Sequence, residues 1–109
     1  MNEAQLPKNM HAFIESVDWT YAKIMPEWPH EYIVRDRVDE DLFVKLVKHI
    51  RCHGYVGEFY RKPITYFDYE GMTYWTMGAL IEETIIINRC RKEDTYEVRK
   101  REGRLPNQK

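Results

Sequence analysis

Apolar residues recur along this chain in two rhythms. Between Asp39 and His53 the apolar positions Leu42, Phe43, Leu46, Val47 and Ile50 fall at i, i+1, i+4, i+5 and i+8, one stripe on a helical period. Asp39 stands where an N-cap is wanted, and Glu40 and Asp41 suit the positive end of a helix dipole. Lys45, Lys48, His49 and Arg51 gather toward the other end. The pattern predicts a main helix over 39–53, ended by Gly54 in a left-handed conformation. A sparser copy of the rhythm, Met10, Phe13, Ile14 and Val17, predicts a short N-terminal helix over 9–17.

The other rhythm is that of strands. Residues 64–67 and 72–77 are β-branched and aromatic, and Asp68-Tyr69-Glu70-Gly71 separates them. They predict a hairpin with a three-residue loop, Gly71 as its left-handed residue and Tyr66 opposite Tyr74. Phe67, Trp75 and Met77 would then point to the other face. Three consecutive Ile residues make 83–88 a central strand buried on both faces. Residues 18–24 and 31–35 read as two more strands, joined through a loop containing Pro26 and Pro29. The sum is an α+β domain, an antiparallel sheet of about five strands packed by the 39–53 helix and a shorter N-terminal one.

Charge refines the boundaries. The 109 residues carry a net charge of −1, but 91–109 hold seven Lys/Arg against four Asp/Glu. The expected organisation is one domain over 1–90 and a charged, net-basic tail over 91–109. The balanced total argues against a dedicated non-specific DNA binder. No apolar run reaches the roughly 20 residues of a membrane span, and no secretory h-region opens the chain, so a cytoplasmic location is expected. There Cys52 and Cys90 are expected to be free thiols.

Aromatic content, 8 Tyr, 4 Phe and 3 Trp, is the figure that bears on function. The rings concentrate at 19–32, 55–60 and 66–75, while the predicted main helix holds one, Phe43. A ligand is therefore expected on the sheet or its loop edge. On a strand, Trp19, Tyr21 and Lys23 share a face, a pair of rings and an ammonium suited to a base or sugar and a phosphate. The same rings can equally cover the end of the sheet. His30 and Tyr32 share a face and suit acid–base work, with Arg35 nearby for phosphate, although a His after Pro29 can simply cap the loop. Tyr74, Trp75 and Gly78, then Glu83, Asn88 and Arg89, form a third group facing a cleft. There Arg89 can instead pair with a surface acid and Asn88 can satisfy turn backbone.

Phosphate-loop, dinucleotide and serine-nucleophile motifs do not occur, so no cofactor is expected. His49-x-x-Cys52-His53 with Cys90 lacks a second close ligand pair, so no metal is expected either. The leading expectation is a small binding protein whose aromatic and cationic pocket takes a nucleotide-like molecule or a flexible nucleic-acid segment. Trp19, Tyr21, Tyr74 or Trp75 would stack, Lys23, Arg35 and Arg89 would meet phosphate, and His30, Tyr32 and Asn88 would orient. The alternatives are a small enzyme cleaving a phosphoester or glycosidic bond through His30, Tyr32 and Glu83, and a protein-interaction module such as an inhibitor or a homodimer.

The segments Tyr21-Ala22-Lys23-Ile24-Met25-Pro26, Pro29-His30-Glu31-Tyr32, Tyr74-Trp75-Thr76-Met77-Gly78 and Glu83-Thr84-Ile85-Ile86-Ile87-Asn88-Arg89 resemble those of a family of small bacterial and phage-type proteins without an assigned activity. Similar segments occur beside methyltransferase domains. The resemblance implies a nucleotide or nucleic-acid context by analogy. The chain itself is too short for a methyltransferase domain and has no Gly-rich cofactor loop.

Overall fold

Asp39 caps the main helix as its side chain dictates, with Oδ1 accepting a hydrogen bond from the Leu42 amide at 3.2 Å. The computed structural model describes residues 6–24, 28–59, 61–78 and 80–95. In it α1 spans Lys8–Ser16 and α2 spans Glu40–His53, each within a residue of expectation. The strands are β1 (Thr20–Ile24), β2 (Trp28–Val34), β3 (Tyr55–Phe59), β4 (Lys62–Tyr69), β5 (Met72–Met77) and β6 (Ile86–Arg91). They form one antiparallel sheet in the order β1-β2-β6-β5-β4-β3. The fold is α+β.

The apolar stripe of α2, Phe43, Leu46, Val47 and Ile50, is buried with Met10, Phe13 and Ile14 of α1. Both stripes meet Ile33, Phe67, Tyr74 and Ile87 from four strands, so both helices lie on one face of the sheet. The opposite face carries a second buried cluster of Phe59, Ile64, Tyr66, Trp75 and Cys90. The buried Cys90 and the exposed Cys52 form no disulfide.

Four features differ from expectation. A sixth strand, β3, pairs with β4 along the sheet edge. Gly57 interrupts it, and its apolar residues Tyr55, Val56 and Phe59 do not alternate with polar ones, so it carried no strand signature. The β4–β5 hairpin turns through two residues, because Glu70 (φ 50°) and Gly71 (φ 79°) are both left-handed and Tyr69 pairs with Met72. The register thus shifts by one: Tyr66 opposes Trp75 and Phe67 opposes Tyr74. Phe67 and Tyr74 join the helix-side core, while Tyr66, Trp75 and Met77 belong to the far face.

The Ile run is the third difference. β6 starts at Ile86, preceded by a 3-10 turn over Ile81–Glu83, and sits centrally between β2 and β5. Of the three residues only Ile87 is buried, whereas Ile85 is 59% exposed and Ile86 36%. Ile85 lies before the strand and Ile86 at its first position, where neither face is fully covered. The fourth is Gly54, whose backbone is extended (φ −96°, ψ −170°) and not left-handed. Its requirement is spatial, since a Cβ there would collide with the carbonyl oxygens of Tyr66 and Ile50.

The expected boundary at 90/91 falls within β6. Arg91 continues the strand and pairs with Asp94 at 2.9 Å, and the Lys92 amide donates to the Gly71 carbonyl at 2.8 Å. Thr95 is buried. The rest of the expected tail, 96–109, lies outside the described residues.

Candidate functional site

The helix-side face of the sheet carries a cross-strand row: Tyr21 pairs with Glu31, Glu31 with Arg89, Arg89 with Tyr74 and Tyr74 with Phe67. Alternation along each strand puts these side chains on one face. Trp19 enters from the segment before β1, where its indole Nε1 donates to the Ile14 carbonyl at 2.9 Å and so ties the sheet edge to the end of α1.

Arg89 is the hub of this row. Its Nε donates to Glu31 Oε1 at 2.6 Å. Its guanidinium carbon lies 4.1 Å from the Trp19 ring centre and 5.9 Å from that of Tyr74. The two rings are themselves 5.9 Å apart, tilted by 57°. Burial pushes the Tyr74 hydroxyl above its usual range, partly offset by Arg89.

These residues line a cleft of about 540 Å³ between α1 and the sheet. His11 and Glu15 from α1 and Glu70 from the β4–β5 turn form its rim. Among the described residues, three carboxylates, Glu15, Glu31 and Glu70, line it with one guanidinium, so this lining is acidic. It suits amino groups and cations better than bare phosphate. Among the described residues, the group that could hold a metal is that of the rim, His11, Glu15 and Glu70.

Three nominated residues, Trp19, Tyr74 and Arg89, therefore converge from separate segments. Tyr21 is 61% exposed and lines an adjoining cleft of about 230 Å³ with His30 and Arg89. The side chain of Lys23 lies outside the described residues.

The others are placed elsewhere. Trp75 is 1% exposed on the far face, which leaves no ring surface for stacking. His30 and Tyr32 also lie there, their rings 6.2 Å apart, and His30 is buried 6.1 Å from Trp75. Asn88 sits between Tyr32 and Trp75 in the register. Glu83 is exposed beyond the Val34–Ile86 end of the β2–β6 pair, whereas His30 lies toward the other end.

Arg35 is an anchor. It binds Glu40 at 2.9 Å and donates to the carbonyls of Ile81, Glu82 and Thr84 at 3.3–3.4 Å. It thereby holds the β5–β6 connection against the start of α2. In the same connection Thr84 is buried and takes a hydrogen bond from Arg51 at 2.9 Å.

Glu31, His11, Glu15 and Glu70 were missed by sequence reasoning. The one local signal was the His11–Glu15 spacing of four on a helix, which puts both on one side of α1. No protein-family model, curated protein or solved structure matches this chain.

Proposed function

We propose that the chain is a small-ligand binding protein whose cleft between α1 and the sheet takes the base end of a nucleoside or nucleotide. The observation that carries this reading is the convergence of Trp19, Arg89 and Tyr74 on one wall. A base laid against the Arg89 guanidinium would continue the layer that Arg89 makes with Trp19, and arginine planes are established stacking partners of bases. Glu31, Glu15 and Glu70 would accept hydrogen bonds from exocyclic amino groups. Because they outnumber Arg89, recognition rests on the base and not on free phosphate.

The test is a calorimetric titration of the protein with adenosine, guanosine, cytidine and their monophosphates, alongside an electrophoretic shift with short single-stranded RNA. A nucleoside is expected to bind at least as tightly as its monophosphate, and Arg89→Met to weaken it ten-fold or more. Affinities no tighter than millimolar across the panel, with no shift of RNA, would sink the reading.

One observation favours an interaction surface as a second reading. Leu80 (54% exposed), Ile85 and Ile86 are exposed along the passage from β5 to β6, the latter two beside a cleft of about 370 Å³. Adjacent exposed apolar groups mark contact surfaces. Light scattering would report a homodimer, and Ile85→Lys would dissociate it.

A further inference from the structure

We infer that His11, Glu15 and Glu70 bind one divalent first-row metal ion of the class of zinc, cobalt and manganese at the rim of the cleft. His11 and Glu15 lie one turn apart on α1, and Glu70 is delivered from the β4–β5 turn. One donor atom from each lies within 4.8 Å of the other two. His11 Nε2 and Glu15 Oε2 are 3.0 Å apart. Without an ion this is an ion-pair contact, and it lies within about 0.5 Å of the roughly 3.4 Å that separates tetrahedral ligands whose bonds are about 2.1 Å long.

An orienting contact stands outside the donor set. The Tyr69 hydroxyl is 2.9 Å from His11 Nδ1, and the Tyr69 ring meets the imidazole edge-on at 78°. An imidazole bound through Nε2 characteristically has its Nδ1 held by such a partner, which sets ring direction and tautomer. Tyr69 and Glu70 are consecutive, so one turn supplies both the orienting hydroxyl and a ligand.

One nitrogen, two carboxylates and no sulfur suit Zn²⁺, Co²⁺ or Mn²⁺, and exclude the soft-metal class. Two carboxylates neutralise a dication, which accords with the acidic cleft. Three protein ligands leave a fourth position for water or for a donor atom of a molecule in the cleft. The site rests on these residues alone and stands whether or not the cleft takes a base; with the ion bound, Glu15 and Glu70 serve the ion and Glu31 is the carboxylate left for a base.

Zn²⁺ alone is titrated calorimetrically into chelator-treated full-length protein, without nucleoside, and the visible spectrum of the Co²⁺ form is recorded. One ion should bind with a Kd of about 1 μM or tighter. His11→Ala and Glu70→Gln should each weaken it at least ten-fold, and Tyr69→Phe by about ten-fold. Glu70→Gly also removes the ligand but relaxes a left-handed backbone, so it should lose the metal with thermal stability kept or raised. The His49→Gln/His53→Gln double variant should bind as the wild type does. Tight zinc binding that survives His11→Ala and Glu70→Gly, or that is lost in the His49/His53 variant, would overturn the assignment. So would a wild-type affinity no better than about 1 mM.

Discussion

The guanidinium of Arg89 lies over the Trp19 ring at 4.1 Å while its Nε holds the Glu31 carboxylate at 2.6 Å. One cation is thus shared between a π face and an acid contributed by two other segments of chain. This arrangement joins the entry to β1, the middle of β2 and the middle of β6, and it forms the wall of the cleft.

The Trp19–Arg89 contact should be measurable as coupling. In a double-mutant cycle of Trp19→Leu and Arg89→Met, followed by urea denaturation, the coupling energy should be about 1 kcal/mol. Arg89→Met alone should cost about 1–2 kcal/mol more than Trp19→Leu, because it leaves the half-buried Glu31 without its cation. A coupling of zero would show that the ring and the guanidinium are neighbours without interaction.

Gly54→Ala should destabilise the protein by about 2 kcal/mol or more, since the new methyl group meets two backbone oxygens that cannot rotate away. The shift of the urea midpoint checks this. A neutral substitution would mean that α2 and β4 separate there at little cost.

The three isoleucines should behave unequally. Ile87→Ala, in the core between both helices and the sheet, should cost about 2–5 kcal/mol. Ile85→Ala should stay within about 0.5 kcal/mol. Equal losses in chemical denaturation would contradict the described start of β6.

His49 should make stability depend on pH. Burial, and then the neighbouring His53, hold its pKa below the ordinary value of 6.5. Its ring packs edge-on against Phe67 at 4.9 Å and lies 4.5 Å from His53. The unfolded chain then takes the proton more readily than the folded one. Stability from this residue is complete above pH 6.5 and is lost as pH falls through the lower folded-state value. Thermal melts between about pH 8 and pH 5 should show the decline, and His49→Gln should flatten it. An NMR titration placing His49 at or above the ordinary imidazole value would contradict the burial.

How far the sequence carried depends on the range of the interactions involved. The α2 helix was readable because its stripe, its Asp39 cap and its charge gradient all act within a turn or two of chain. The β4–β5 hairpin was readable as an element, but its register was not. Asp68 was expected to start the turn, yet it stays in β4 and accepts a hydrogen bond from Thr73 at 2.6 Å. Glu70, a residue that rarely adopts positive φ, takes the first left-handed position beside Gly71. That single step put Phe67 and Trp75, expected on one face, on opposite faces of the sheet.

The candidate site divides in the same way. Trp19, Tyr74 and Arg89 could be nominated by residue type. Glu31 could not, because an acid on a strand has no signature until its cross-strand partner is known. Glu70 joins His11 and Glu15 only because the hairpin turn reaches α1. By itself, then, the sequence determined the local elements, the α+β class and the polar and aromatic inventory, all of which follow from propensity, periodicity and caps. Tertiary structure alone decided which side chains share a face and a cleft. Strand register alternates faces at every residue, and the β2–β6 pairing that assembles the Arg89 wall joins segments that carry no mark of each other.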